Sequence, residues 1–223
     1  MHRYVKQSEE DATMQNLEKS QYEIVHELLE DIESTTSTRD LCQSMLKTIA
    51  KVTRASGCTL MLYIEAKRTL FRCAAFGLSD WFFKKSTVSI DPGISRALKG
   101  KCVFVRDVAL DFRVGYRKQV MKEGIASILN IPIKLKERVI GAMQIYGSEV
   151  RDFTDSEISL ACMIANVGVD ALDKAGFFEI VQRDYKAFKK SMSQLSSELD
   201  YELEAEPDVT PVEDEGPIIY AGG

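Results

Sequence analysis

The stretch of residues 123–146 most constrains the fold, because it has the pattern of two strands joined by a tight polar turn. Apolar side chains occupy every second position of its first half, which is the period of a half-buried strand: Leu129, Ile131, Ile133 and Leu135. Lys136 to Arg138 predict the turn, and the mostly apolar run from Val139 to Tyr146 predicts a strand covered on both faces. Pro132 predicts an edge or a bulge, and Gly141 predicts close approach by another backbone or a ligand.

Further elements are predicted on the N-terminal side of this hairpin. Apolar spacing predicts one helix from Ile24 onward and another over 40–54, the second capped by Ser37 or Thr38. The remaining elements are strands at 58–65, 69–76 and 102–105 and short helices at 92–100 and 116–122.

The C-terminal part is predicted to be helical and to mediate association. Thr154 followed by Glu157 predicts a capping box that opens a long helix. Beyond Gly176, apolar residues recur at intervals of three and four over about three heptads: Phe178, Val181, Tyr185, Phe188, Met192, Leu195 and Leu199. This seam favours a parallel homodimer in which the terminal helices form a bundle. The alternative is packing against the N-terminal helix of the same chain.

Short matches in a fixed order across residues 38–175 resemble the GAF domain family, which comprises small-molecule-binding signalling modules related to PAS domains. The matching segments are Asp91 to Ile94, Arg96 to Leu98, Gly100, Val105 to Val108, Asp111, Arg113, Glu123 to Ile125, Ser127, Ile131 to Ile133, Val139 to Gly141, Ile145 to Tyr146, Arg151 to Thr154 and Glu157. The resemblance implies an α+β fold with a central antiparallel sheet of about six strands, flanked by helices and extended by a C-terminal helix.

The resemblance also implies where a ligand would bind. In the family the pocket lies between one sheet face and the segments that correspond here to 91–100 and 106–124. The candidate pocket residues are Trp81, Ile94, Phe104, Asp107, Tyr116, Ser127 and Met143. Aromatic and aliphatic walls would enclose the ligand while a few polar groups orient it. The alternative is that these side chains only pack the core.

The identity of the ligand stays open. Eight basic residues lie between positions 96 and 122 and would favour an anion if they faced the cavity: Arg96, Lys99, Lys101, Arg106, Arg113, Arg117, Lys118 and Lys122. The alternative is a solvated surface. Tyr146 and Gly147 stand where family members that bind cyclic nucleotides have an Asn-Lys pair, which argues against those ligands. No cysteine has the neighbouring histidine that bilin attachment needs.

Composition argues for a cytoplasmic protein without enzymatic activity. No apolar run approaches the ~20 residues of a membrane span, and residues 1–16 lack the apolar core of a signal peptide. His2 and His26, the two histidines, lie in no recognisable catalytic motif. The five cysteines, at 42, 58, 73, 102 and 162, form no CxxC pair and are expected to be buried free thiols. We expect no metal site, cofactor, nucleic-acid or membrane partner.

Four segments are predicted: a helical N-terminal extension (1–37), the GAF-like domain (38–175), a coiled-coil-like helix (176–199) and a disordered acidic tail (200–223). The tail holds eight acidic residues and no Lys or Arg, so the rest of the chain is near +3 and the acidity behind the net charge of −5 belongs to the tail. One hypothesis is that it folds back onto the basic segment and competes with ligand.

The sequence thus predicts a sensor that binds a small ligand and signals through dimerised terminal helices to a separate output protein. An interaction scaffold with a filled pocket is the alternative, and an enzyme resembling free methionine sulfoxide reductases is a more distant one.

Overall fold

The computed structural model of the chain describes residues 23–35, 37–64, 68–83, 87–88, 90–179, 181 and 183, apart from the side chains at positions 83 and 87. Five of the seven predicted seam residues, from Tyr185 to Leu199, and the acidic tail lie outside this part of the chain. No helix of the described part is long and apolar enough to cross a membrane.

Within the described residues, six antiparallel strands form one sheet in the order β3-β2-β1-β6-β5-β4. The strands are β1 (Gly57–Ile64), β2 (Thr69–Phe76), β3 (Thr87–Val88), β4 (Val103–Val105), β5 (Ser127–Leu135) and β6 (Arg138–Gly147). The predicted sheet of about six antiparallel strands is confirmed. The two strands of the central hairpin lie inside the sheet, where β6 pairs with both β1 and β5.

The hairpin turn has the geometry that a two-residue connection requires. Lys136 and Glu137 both have positive φ, at 49° and 64°, as in the type I′ turns that match the twist of paired strands. A Cβ on Gly141 would lie 2.0 Å from the carbonyl oxygen of Met61, so the predicted close approach is by the backbone of β1. At Pro132 the strand lies beyond its pairing with β4, and a bulge follows at Ile133/Lys134, as the proline predicts.

The helices are α1 (23–34), α2 (Thr38–Val52), α3 (Asp80–Phe83), α4 (Pro92–Leu98), α5 (Arg117–Lys122) and α6 (Asp155–Lys174). The predicted caps are present: the Ser37 side chain accepts from Asp40 N, and Thr154 and Glu157 form both halves of the capping box. Helix α6 ends before Gly176, which has a φ of 73°. Residues 177–179 are helical again.

Each face of the sheet has its own core. Leu60, Leu129, Ile131, Met143 and Ile145 point toward α1, α2 and α6 in the larger core. Phe178 and Val181, the two described seam residues, are buried in that same core. These two side chains therefore pack within the chain rather than on a surface open to a partner.

The opposite face is covered by α3, α4, α5 and their connections, with two smaller apolar clusters. The prediction that β5 is half-buried is therefore wrong over most of its length. Asn130, at a predicted polar-face position, is 2 % exposed because this second layer covers it.

Candidate functional site

A cavity of about 480 Å³ separates the sheet from the layer formed by α3, α4 and α5. Its floor is formed by alternate residues of the strands, and its walls by the ends of the short helices. The lining residues are Arg72, Trp81, Phe82, Val88, Asp91, Ile94, Val114, Gly115, Tyr116, Gln119, Val120, Ile128, Gln144 and Tyr146. The enclosure is mostly apolar, with a small number of polar groups.

A directed chain of hydrogen bonds crosses the sheet at the cavity floor. The Tyr146 hydroxyl donates its only proton to Gln144 Oε1 at 2.9 Å, so the Thr59 hydroxyl, 3.0 Å away, must donate to Tyr146. Gln144 Nε2 donates to Asn130 Oδ1 at 2.9 Å, and Asn130 Nδ2 donates to Val103 O at 3.4 Å. The chain connects β1, β6, β5 and β4, and it fixes the orientation of the two members that line the cavity, Gln144 and Tyr146.

Burial keeps this chain in its neutral form. Tyr146 is wholly buried, and desolvation raises the pKa of its hydroxyl to about 12 despite the opposing effect of nearby Arg72. The phenol therefore remains a hydrogen-bond donor at neutral pH.

Arg72 places a positive charge in the cavity wall. The side chain is only 8 % exposed, and its Nη1 donates to the carbonyl oxygen of Phe82 at 2.7 Å. Its Cζ lies 4.6 Å from the centroid of the Phe82 ring, which meets the Tyr146 ring edge-on at 5.9 Å. Contacts with both the carbonyl and the ring hold the guanidinium in one orientation.

Asp91 joins two segments that form the cavity wall. Its Oδ1 accepts from Ile94 N at 2.8 Å and caps α4, while its Oδ2 accepts from Gly115 N at 3.0 Å. Burial raises the pKa of this carboxyl group, and the hydrogen bonds from these backbone amides oppose the rise. Tyr116, which follows Gly115, has a left-handed backbone (φ 51°, ψ 37°) at the start of α5. A non-glycine residue rarely adopts this conformation, so the surrounding contacts must hold it there.

Three of the seven predicted pocket residues line the cavity: Trp81, Ile94 and Tyr116. Ile94, a residue of α4, is fully buried, whereas Trp81 is 47 % exposed and has Lys122 Nζ 4.7 Å above its ring. The indole therefore lies at the cavity mouth.

The other four predicted residues lie outside the cavity, and strand alternation explains three of them. Met143 and Ser127 point to the face opposite Gln144 and Ile128, because successive side chains of a strand alternate. Phe104 pairs with Leu129 on that same face and is 43 % exposed at the sheet edge. Asp107 is half-buried in the loop after β4, where its Oδ1 accepts from Ala109 N at 2.8 Å.

None of the eight basic residues that suggested an anionic ligand lines the cavity. Arg113 instead pairs with Asp111, Arg117 donates to Asp111 O at 2.7 Å, and Arg106 lies 3.4 Å from Asp152. The positive charge of the cavity comes from Arg72, which the sequence reasoning missed. A charged residue between Phe71 and Cys73 in a predicted apolar strand was the available signal.

Among the described residues, no group of three or more His, Cys, Asp or Glu side chains is arranged to hold a metal ion. The cysteines differ in exposure. Cys42 and Cys58 are buried, Cys73 and Cys162 are half-buried, and Cys102 is exposed. The prediction of buried thiols is therefore wrong for Cys102.

Comparison with known proteins gives a family and a set of similar folds. The family model for the GAF domain matches residues 35–173. The comparison with curated proteins found no match.

Similar solved structures include GAF domains of phosphoenolpyruvate-protein phosphotransferases. That of Acinetobacter is 15 % identical over 72 % of this chain and 97 % of its own, with a TM-score of 0.60. That of Coxiella burnetii is 15 % identical over 72 % and 96 %, with a TM-score of 0.62. A far-red absorbing dark state of JSC1_58120g3 with bound biliverdin IXa is 11 % identical over 69 % and 99 %, with a TM-score of 0.55. These likenesses show the shared fold.

Proposed function

The chain belongs to the GAF domain family of signal-sensing and ligand-binding modules, and we propose that it senses a small organic acid bound in the cavity above Gln144 and Tyr146. The observation that carries this proposal is the buried guanidinium of Arg72 in an otherwise mainly apolar wall. A planar guanidinium held in one orientation suits a carboxylate or a phosphate group, which it can bind through parallel hydrogen bonds.

The rest of the cavity defines the other half of the ligand. Its volume of about 480 Å³ falls within the range typical of small-molecule sites, roughly 300–1,000 Å³. Phe82, Ile94, Val114 and Val120 offer apolar contact, and the amide of Gln144 offers a fixed polar group. The proposed ligand therefore has an acidic group on a largely apolar or planar body.

Native mass spectrometry of protein purified from its own host, with and without denaturation, tests the proposal. We expect a small acidic molecule that is lost on denaturation. Arg72→Met should remove this species, because it deletes the charge while keeping an unbranched apolar side chain. Arg96→Met is the matched control, since Arg96 is exposed on α4 and does not line the cavity.

The result also distinguishes the ligand proposal from an interaction scaffold. The ligand proposal would be contradicted if wild-type protein carried no ligand and no carboxylate or phosphate of a panel stabilised it against heat. That outcome would favour an interaction scaffold. Retention of the ligand by Arg72→Met would contradict the assignment of Arg72.

We propose that the sensor is a homodimer that associates through α1 and α6. Leu29 on α1 and Val167 on α6 are exposed and border one groove, and Met163 lies one turn before Val167. Apolar side chains grouped on two neighbouring helices are typical of surfaces that a partner covers. The occupant proposed here is a second copy of the chain, and the bound state would pass to a separate output protein through these helices.

Light scattering coupled to size exclusion tests the dimer. We expect twice the chain mass for wild type and a shift toward the monomer for Val167→Glu, because the substitution buries a charge in the interface. Val150→Glu is the control, since Val150 is also exposed but lies in the connection between β6 and α6. A monomeric wild-type protein would rule the dimer out.

We further propose that the chain is not an enzyme. In support, the Tyr146 hydroxyl keeps its proton and both Asp91 oxygens accept backbone hydrogen bonds, so neither group is poised to transfer a proton. No cysteine is among the described residues that line the cavity, which argues against a reductase working there. Thiol-dependent reduction of free methionine sulfoxide that is abolished by Cys-to-Ser changes would contradict this proposal.

A further inference from the structure

Two cysteines that are 60 positions apart in the sequence meet at the edge of the sheet. The Sγ atoms of Cys102 and Cys162 lie 3.5 Å apart. Cys102 immediately precedes β4, and alternation places it on the same face as Phe104, toward α6. Cys162 lies on α6, eight residues into the helix. The separation exceeds the ~2.05 Å of a disulfide bond by an amount that side-chain rotation and a small backbone shift can close.

The surroundings favour the thiolate form of Cys102. The thiol of Cys162 is within hydrogen-bonding distance of Cys102, and this contact, with a smaller contribution from the Lys134 ammonium, lowers the pKa of Cys102 to about 7. The same interaction raises the pKa of Cys162. Cys102 is also exposed, so that a dissolved oxidant can reach it. Low thiol pKa and solvent access are the two conditions for cysteine reactivity.

The other three cysteines have the opposite character. Burial raises the pKa values of Cys42, Cys58 and Cys73 far above the ordinary range. Their thiols belong to the core between the sheet and the helices, where Cys58 Sγ donates to Leu46 O at 3.1 Å. They therefore serve as internal controls for any reaction at Cys102.

We propose that Cys102 and Cys162 are a redox modification site at which hydrogen peroxide forms a reversible disulfide within the chain. The Cys102 thiolate attacks a peroxide oxygen, so that an S–O bond forms, the O–O bond breaks and hydroxide leaves to become water. Cys162 sulfur then attacks the sulfenic acid, the S–S bond forms, and the oxygen leaves as a second water. Two electrons pass from the two sulfurs to the peroxide, and a dithiol reductant reverses the bond by thiol–disulfide exchange.

The position of the bond gives it a structural consequence. It would tie β4, which lies between the cavity-covering segments α4 and α5 in sequence, to α6, which packs against β5 on the other face. Oxidation would therefore restrain the movement of the sheet edge relative to the helix that leads toward the C-terminus. Oxidation would therefore act on the sensor independently of the ligand in the cavity.

Peptide mapping of the full-length chain tests the proposal directly. Reduced protein is exposed to hydrogen peroxide, alkylated with N-ethylmaleimide in denaturant and cleaved with trypsin without reduction. The expected product joins peptide 102–106 to peptide 152–174, each of which contains a single cysteine. Cys42, Cys58 and Cys73 should be recovered alkylated, and dithiothreitol should abolish the joined peptide.

Two single substitutions separate the steps. Cys162→Ser should leave a sulfenic acid at Cys102 that dimedone traps. Cys102→Ser should slow oxidation at position 162, because the Cys162 thiol is half-buried and, besides its contact with Cys102, burial raises its pKa. Cys73→Ser should leave the joined peptide unchanged.

Three results would overturn the proposal: absence of the joined peptide from peroxide-treated wild type, oxidation of Cys42, Cys58 or Cys73 at a comparable rate, or a bond formed between chains. Mixing protein of normal and ¹⁵N-labelled mass detects the last case, because only a bond between chains gives peptides of mixed label. The wild-type measurement needs no variant to fold.

Discussion

Replacing Tyr146 with phenylalanine tests whether the cavity floor is held by the directed hydrogen-bond chain. The substitution keeps the ring, which meets Phe82 edge-on, and removes only the hydroxyl. Thr59 then loses its acceptor and Gln144 Oε1 loses its donor, at distances of 3.0 and 2.9 Å in the native protein. Both partners are buried, so removing the hydroxyl leaves a buried donor and a buried acceptor without the group they bond in the native protein.

The expected loss follows from these two contacts. A buried hydrogen bond contributes about 1 kcal/mol net, and a buried polar atom left without its partner costs about 1–3 kcal/mol. We therefore expect Tyr146→Phe to lower the free energy of unfolding by about 2–3 kcal/mol. For a domain of this size each kcal/mol shifts Tm by roughly 2–4 °C, which predicts a fall of about 4–12 °C.

Urea denaturation of ligand-free protein measures the effect, with an unchanged m value as the sign that only stability changed. Tyr63→Phe is the matched control, because Tyr63 lies on the adjacent strand β1 but is only half-buried. A double-mutant cycle with Thr59→Val should give a coupling energy of at least ~0.5 kcal/mol, as expected for directly bonded partners. A loss below ~0.5 kcal/mol for Tyr146→Phe would refute the argument that the chain holds the floor in place.

Three further changes test other parts of the structure. Gly141→Ala should lower the free energy of unfolding by at least ~2 kcal/mol in urea denaturation, because the new methyl would lie 2.0 Å from Met61 O. Gly93→Ala is the control and should lose less, because its methyl meets nothing closer than 3.3 Å. Equal losses would contradict the reasoning. Thr154→Ala should cost about 1 kcal/mol in the same assay by removing the cap of α6, and Thr154→Asp should recover most of it; failure of this recovery would argue against the cap. Closing the Cys102–Cys162 bond should raise the free energy of unfolding by up to about 4 kcal/mol, the chain-entropy value for a loop of 60 residues. Peroxide treatment should leave the free energy of unfolding of Cys162→Ser unchanged. A less stable oxidised wild-type protein would mean that the bond strains the fold.

The sequence predicted the fold well where local chemistry determines it. The strand at β5, the turn at Lys136 and the capping box at Thr154 are decided by residues close in sequence, and the structure confirms each of them. Pro132 and Gly141 were informative because each imposes a backbone constraint that few structural settings satisfy. The prediction that β5 is half-buried was wrong because covering its second face depends on α4 and α5, and local periodicity carries no information about that layer.

The cavity was harder to predict because its lining depends on which strand face each residue occupies. Met143 and Gln144 are neighbours in sequence, yet Met143 contacts the helical core and Gln144 the cavity. A shift of one position therefore exchanges a core residue for a lining residue. Arg72 and the pairing of Cys102 with Cys162 illustrate a second limit. Arg72 contacts Phe82, 10 positions away, and Cys102 contacts Cys162, 60 positions away. Counts of charges or cysteines do not identify such neighbours.

The same alternation provides a physical route for the relay that we propose. On β6, Gln144 and Tyr146 line the cavity, while Met143 and Ile145 pack in the core with α2 and α6. A ligand that displaces the Gln144 amide would also pull on its hydrogen-bond partners Asn130 and Tyr146, and so displace the backbones of β5 and β6. Because Met143 and Ile145 are fully buried, their displacement cannot be absorbed by empty space and must shift the helices packed on them. The signal would thus pass through the thickness of one sheet, from the polar chain on one face to the apolar contacts of α6 on the other.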